Sequence, residues 1–433
     1  MWTYHADLLA RPVPRYTSYP TAAEFGDAVG SDDMAAALDR VGAEEPVSLY
    51  LHIPYCHEIC WYCGCNTGAA NRGARLTAYL ERLHEEIVLV ADRLGGRGRV
   101  GRIAFGGGSP NAIAPAAFVR LVERVVTRFR CADPVLSVEV DPRGFDADWA
   151  KALADTGASR VSLGVQTLDP TIQAAIGRVQ PEDDIRRTVE LLRGAGVDSV
   201  NFDLMYGLPG QSDASLAATL DTALAMEPDR LAVFGYAHVP QLIARQRRID
   251  ASALPDAGAR FAQAVLAHRF LTGAGYRAIG FDHFALPEDA LAQGRLRRNF
   301  QGFTEDPAEA LIGLGASAIS AFPDRLLQNE KNTGRYHLAI GSGRFATARG
   351  LHRTAEDRRR GRAIEAILCQ GSADLAGLGC VRARLMPFET RGLIAWQGTR
   401  VTLAEGALPY ARAIAATLDA YRGESAARFS HAV

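Results

Sequence analysis

From Ser48 to about Gly280 the chain alternates short apolar runs with longer amphipathic ones, and this rhythm limits its fold more than any other feature. Such alternation is the pattern of repeated strand and helix units on a parallel sheet, so the class is α/β. The strands expected are Ser48–Ile53, Arg102–Phe105, Leu136–Val140, Arg160–Val165, Ser199–Tyr206 and Arg230–Tyr236, with a seventh candidate at Tyr276–Gly280. Helices fit between them. The first, over 75–94, carries Leu80, Leu83 and Ile87 at helical spacing, and Pro115 suits the opening position of the second.

Length and charge narrow the choice further. At the usual ~150 residues per domain, 433 residues give two to three domains, one of which can be a barrel of ~250. Lys plus Arg is 48 and Asp plus Glu is 49, a net charge of -1 that argues against a nucleic-acid partner or an anionic membrane. The longest weakly polar stretch, 310–322, contains two serines and two glycines and falls short of the ~18 apolar residues that span a bilayer. Met1–Asp7 lacks the basic start and apolar run of a secretory signal, so a cytoplasmic protein is expected.

In a parallel barrel the carboxyl ends of the strands build the active site. Here those ends carry a cysteine-rich loop, Gly106-Gly107-Gly108, Glu139-Val140-Asp141, Gln166, Asp203 with Gly207-Leu208-Pro209-Gly210, and Tyr236-Ala237-His238. Each alone is commonly structural, a turn or a helix cap. Six in register indicate a site. Before Ser48, Pro12–Pro20 reads as an extended arm; after about Gly341 a basic helical stretch (Arg358, Arg359, Arg360, Arg362) and a strand pair, Gly392–Trp396 and Arg400–Leu403, form a small C-terminal domain. The arginine run reads as a solvated helix face.

Four of seven cysteines, Cys56, Cys60, Cys63 and Cys65, fall within ten residues. The first three form a tight arc, unlike the two separated pairs of a zinc site, and their spacings are too short for unstrained disulfides. A 4Fe-4S cluster usually takes four thiolates. Three leave one iron open to a substrate or cofactor. Cys131, Cys369 and Cys380 read as small buried thiols.

The loop Cys56-His57-Glu58-Ile59-Cys60-Trp61-Tyr62-Cys63 resembles that of the radical S-adenosylmethionine superfamily. With Arg15–Pro20, Tyr50–Tyr55, Cys65 before Asn66, Asn201–Pro209 and Asn299–Phe303, the chain resembles the oxygen-independent coproporphyrinogen III oxidase family from about Pro14 to Asn329. The resemblance implies a partial (β/α)6 TIM-like barrel over 48–340 between an arm over 1–47 and a small C-terminal α+β domain over 341–433; in the arm, Arg15 offers a guanidinium for a propionate and Tyr16 and Tyr19 aromatic faces for a macrocycle, so a substrate lid is expected, with a strap that only packs on the barrel as the alternative. It implies oxidative decarboxylation of two propionates of coproporphyrinogen III to vinyl groups in haem synthesis. It places a 4Fe-4S cluster on Cys56, Cys60 and Cys63, with Cys65 a catalytic residue outside the iron ligands. One S-adenosylmethionine falls to Tyr50, Tyr62, Gly107, Glu139 and Ile319. A second falls to Gly108, Ser109, Gln166, Arg178, Asp203 and Ala237, where Arg178 would meet its carboxylate; without the resemblance, Arg178 would read as a surface arginine. A tetrapyrrole substrate, a reducing donor such as a flavodoxin or ferredoxin, and a monomer complete the expectation.

The sequence departs from the family at Ser109, where threonine is usual and the hydroxyl is kept, and at Gln370-Gly371-Ser372. Two other readings stay open: a haem-binding carrier paralogue, which would lack Cys65 and the Arg15–Pro20 arm, and a radical enzyme acting on haem.

Overall fold

The computed structural model describes residues 2–70, 73–379 and 381–422. Six parallel strands, β1 (Pro46–Ile53), β2 (Arg99–Gly107), β3 (Cys131–Val140), β4 (Ala158–Gln166), β5 (Ser199–Tyr206) and β6 (Arg230–Gly235), lie side by side in chain order. The helices between them are α2 (Gly73–Leu94), α3 (Pro115–Arg128), α4 (Ala147–Thr156), α5 (Glu182–Gly194) and α6 (Asp213–Leu224); α7 (Ala257–Gly273) follows β6, and α1 (Ser31–Asp39) precedes β1. This is the partial α/β barrel that the rhythm predicts.

Local chemistry accounts for the elements. Leu49, Leu51 and Ile53 of β1 join one apolar core with Leu83, Ile87 and Val90 of α2. Each such side chain, fully buried, contributes about 1.5–3 kcal/mol. Their alternates Ser48, Tyr50 and His52 stand on the opposite, inner face. Helix α3 opens with Pro115 in its first turn and buries Phe118, Leu121, Val122 and Val125; α4 is capped by the Asp146 side chain, which accepts from Trp149 N–H at 2.9 Å.

The sheet extends past the six strands at both ends. Beyond β6 lie β8 (His283–Ala285) and then β7 (Arg277–Ile279). The seventh strand expected at Tyr276–Gly280 therefore exists, but it pairs antiparallel with β8. With only a short turn at Gly280 joining the two, no crossover can return the chain for parallel pairing. After a separate hairpin of β9 (Arg297–Asn299) and β10 (Gly302–Thr304), β11 (Ala310–Leu314) runs parallel to β1 and continues into an antiparallel series, β12 (Ile319–Phe322), β13 (Arg325–Asn329) and, beyond α8 (Thr333–Gly341), β14 (Thr347–His352).

Two boundaries read from sequence move. Because β14 still belongs to the main sheet, the barrel unit runs beyond residue 341. The segment 1–47 is not all arm, since Met34, Ala37 and Leu38 of α1 are buried in the main core. A second core joins Leu9, Val13, Tyr16 and Tyr19 to α9 (Ala355–Gln370), α10 (Val381–Glu389) and the small sheet of β15 (Ser372–Asp374), β16 (Ile394–Gln397) and β17 (Arg400–Leu403). Tyr16 O–H donates to Asp419 Oδ2 at 3.0 Å, and Arg412 donates to the Val13 carbonyl at 2.8 Å. The arginine run is only partly a solvated face: Arg359 is exposed against Glu356, while Arg360 is buried and donates to the carbonyls of Leu418 and Leu378. Cys131 and Cys369 are half-buried, and burial pushes their thiols up to about 11 and about 12. Cys380 lies outside the described residues.

Candidate active site

The cysteine loop leaves β1 at Ile53 and crosses the carboxyl ends of the strands. It is tied down from several sides. Gly108 N–H donates to the Ile53 carbonyl and Ser109 N–H to that of Tyr55, each at 2.8 Å. Gly68 N–H donates to the Pro54 carbonyl at 2.9 Å, and Trp61 N–H to that of Ile176 at 3.0 Å. Two glycines of the β2 turn are required by space. At Gly107, with φ of 108°, a Cβ would collide with the His52 ring, and at Gly108 it would collide with the Tyr55 backbone.

Around the three cysteines sits a cationic wall. Arg178 Nη1 lies 3.2 Å and Arg143 Nη2 3.4 Å from Cys60 Sγ. Arg178 also pairs with Asp141 at 3.1 Å, donates to Gln180 Oε1 at 3.0 Å and to the Gly164 carbonyl at 2.5 Å. Arg143 pairs with Asp141 at 2.6 Å and Glu58 at 2.7 Å. Arg178 is 5% exposed, so it is no surface residue. Its guanidinium faces the cysteine loop and is already held by Asp141, rather than standing free for a ligand's carboxylate.

Burial, and secondarily the charges of Cys63, Asp141 and Cys60, pushes the Cys56 thiol up to about 11. The Cys65 side chain, hydrogen bonded to Cys63, holds that thiol down at about 6, and Cys65 itself is pushed up. Cys65 N–H also donates to Cys63 Sγ at 3.4 Å. Among the described residues no three His, Cys, Asp or Glu side chains converge on a single metal ion. Cys56 senses the charges of Cys60 and Cys63, so the three thiols stand close together on one loop, as the ligands of one cluster would. Guanidinium donors on a sulfur are of the kind that tune such a centre.

The remaining expected residues spread over the strand ends. Tyr50 O–H lies 3.1 Å from His52 Nδ1; the other ring nitrogen of His52 is 3.3 Å from Ser317 Oγ, and burial pulls the imidazole down to about 4. Glu139 accepts from Gly107 N–H at 3.1 Å; burial, and then the charge of Asp203, pushes it up to about 7. Asp203, raised by burial, accepts from Ser162 Oγ at 3.1 Å and Asn201 Nδ2 at 2.9 Å. Both carboxylates line a cavity of about 330 Å³ inside the barrel, shared with Phe234, His283 and Gln301. Ser109 bonds Asn111 and accepts from Asp141 N–H at 3.3 Å, and Gln166 closes β4 with φ of 66°. The Tyr62 and Ala237 carbonyls share one donor, Gln246 Nε2, at 2.9 and 3.0 Å. Ile319 opens β12.

Sequence reasoning missed Arg143 and Gln246. Gln246 sits in a loop whose Arg245 donates to the Cys65 carbonyl at 3.5 Å and whose Arg248 lies 5.8 Å from the Trp61 ring centre. Their roles depend on contacts 83 and 184 residues away in sequence, which no local pattern announces.

A parallel half-barrel with a three-thiol loop at the end of its first strand defines the radical SAM class, and the model of the Radical SAM superfamily matches residues 50–223. The oxygen-independent coproporphyrinogen III oxidase of Bradyrhizobium diazoefficiens is 43% identical over 94% of each chain. That of Escherichia coli K12 is 39% identical over 84% of this chain and 80% of its own. The solved structure of the Escherichia coli coproporphyrinogen III oxidase, described as a radical SAM enzyme, superposes with a TM-score of 0.91 at 34% identity, covering 97% of this chain and 100% of that one. The chain belongs to the oxygen-independent coproporphyrinogen III oxidase family.

Proposed function

We propose that this chain converts coproporphyrinogen III to protoporphyrinogen IX by oxygen-independent oxidative decarboxylation of two propionates. The reading is carried by the end-to-end correspondence with relatives of that name together with the cysteine loop at the barrel's mouth. Cys56, Cys60 and Cys63 would hold a 4Fe-4S cluster that, together with S-adenosylmethionine and a one-electron donor, would supply the radical chemistry for removing one hydrogen from each propionate.

The chain's own residues position and shield. Gly107 lets backbone approach closely, and Tyr50, Tyr62, Glu139 and Ile319 surround one S-adenosylmethionine. The Glu139 carboxylate is suited to accept a hydrogen bond from a ribose hydroxyl or an amino group. Gly108, Ser109, Gln166, Arg178, Asp203 and Ala237 stand at the further strand ends, where a second S-adenosylmethionine would lie; Arg178 would act there while remaining paired with Asp141. Walls that exclude water protect a carbon radical from side reactions. A low-potential donor of the flavodoxin or ferredoxin kind would reduce the cluster from a cytoplasmic pool, and the chain would act as a monomer. No described helix is long and apolar enough to cross a membrane.

The experiment is anaerobic turnover by reconstituted protein. Protoporphyrinogen should form from coproporphyrinogen III in proportion to the carbon dioxide released; cleavage of S-adenosylmethionine without either product would refute the assignment.

A further inference from the structure

The arginines around the start of α9 leave a surplus of charge that the proposed chemistry has not used. A cavity of about 240 Å³ lies between the arm, the β9–β10 hairpin, the barrel wall and α9, and Arg297, Arg298, Arg353, Arg358 and Arg362 all line it. Its carboxylates are Asp306, Glu309 and Glu365. Glu365 is paired with Arg297 at 2.8 Å and accepts from the Arg298 backbone N–H at 3.1 Å. Asp306 bonds Ser48 and faces Arg102 at 3.7 Å.

Among the described residues Arg353, Arg358 and Arg362 form no ion pair. Arg358 Nη1 donates to the Arg353 carbonyl at 2.8 Å, and Arg353 Nη1 approaches the Pro323 carbonyl at 3.5 Å. Two buried guanidinium nitrogens on the cavity's arginines, Arg353 Nε and Arg298 Nη1, have no hydrogen-bond partner. Three mutually repelling cations and two orphan donors around one space call for an anion. Besides Thr17, Ser18 and Asn299, the lining includes the apolar side chains of Phe300, Leu311, Ala321, Leu326 and Ile364, so the cavity suits a carboxylate carried on a hydrophobic body.

The cavity also joins the site's framework. Ala321 shares a face of β12 with Ile319, Asp306 is held by Ser48 on the inner face of β1 with Tyr50, and the β9–β10 hairpin separates this cavity from the one that contains Glu139 and Asp203.

We propose that Arg353, Arg358 and Arg362 bind the propionate carboxylates that the reaction leaves intact, anchoring one edge of the tetrapyrrole. This rests on the reading of the substrate given above. The probe is coproporphyrin III, the oxidised tetracarboxylate, titrated against the full-length protein, with inorganic phosphate as competitor. Arg358→Gln combined with Arg362→Gln should weaken porphyrin binding at least tenfold and raise KM, while iron content and S-adenosylmethionine binding stay at wild-type levels. Arg358→Lys with Arg362→Lys should recover most of the affinity, which separates lost charge from lost folding. Arg359→Gln, on the same helix but outside the cavity, should change nothing.

Wild-type affinity and KM in the glutamine pair would overturn the assignment even though turnover persists. Loss of phosphate binding without loss of porphyrin binding would also overturn it, leaving a site for a free anion. If the wild-type protein itself makes no protoporphyrinogen, the reading of the substrate fails instead.

Discussion

At the scale of single residues the site depends on what surrounds Cys60 and Cys63. Two guanidiniums face Cys60 Sγ, and the Cys65 backbone N–H reaches Cys63 Sγ, an arrangement that suits the proposal of Cys65 as a residue beside the iron ligands and outside their set. Anaerobically reconstituted wild-type protein should hold about four irons per chain. Cys60→Ser should lose most of them, whereas Cys65→Ser should keep them while turnover collapses; iron analysis beside product assay distinguishes the two, and iron loss in Cys65→Ser would move that thiol into the ligand set. The cysteines were legible because a chelating arc is written in adjacent residues. Arg143 was not, since it becomes part of the site only when β3 and the loop after β1 meet. Arg178 was placed near the site by family likeness, but its pairing with Asp141 is a matter of packing that spacing does not encode.

At the scale of elements, the six parallel strands were legible because each is an apolar run bounded by turns, and β5 matches its expected span, Ser199–Tyr206. The strands added beside β1 were not. β11 is buried along its whole length, so it shows no alternation, and it is recruited to β1 from more than 250 residues away. What fastens this late addition is charge. Glu305, just after β10, accepts from Arg102 of β2 at 2.8 Å and Arg160 of β4 at 2.5 Å. Burial pushes its carboxyl up, but the two arginines outweigh that and hold it down at about 2. A carboxyl held lower in the folded chain than in the unfolded one stabilises the fold above about 4.3, and that contribution disappears as pH falls from there towards 2. Wild type should therefore exceed Glu305→Gln in stability by on the order of 2–3 kcal/mol at neutral pH. Urea unfolding at stepped pH should show the gap closing below about 4; a gap that does not change with pH would mean the arginines do not recognise the charge.

At the scale of the whole molecule, the two ends of the chain are packed into one another. Tyr16 and Tyr19, expected to offer aromatic faces to a substrate, are 4% and 5% exposed in the C-terminal core. Arg15 reaches the barrel, donating to the Gly235 carbonyl at 3.1 Å with its guanidinium 5.0 Å from the Phe234 ring centre, and Trp2 packs on α7 with its ring centre 4.4 Å from that of His268. Deleting residues 1–20 should therefore lower the thermal midpoint and reduce S-adenosylmethionine cleavage and porphyrin turnover together. Full cleavage uncoupled from product, in a protein of normal stability, would show that the arm acts purely as a cover. The same interlocking has a consequence in time. Tyr16 waits for Asp419 and His5 for Tyr410, so both contacts form only after the segment 410–419 has been synthesised. The strands of the main sheet, β1 to β14, all precede residue 410 in the chain, so the loop of some 400 residues that Tyr16 and Asp419 close is among the last to form.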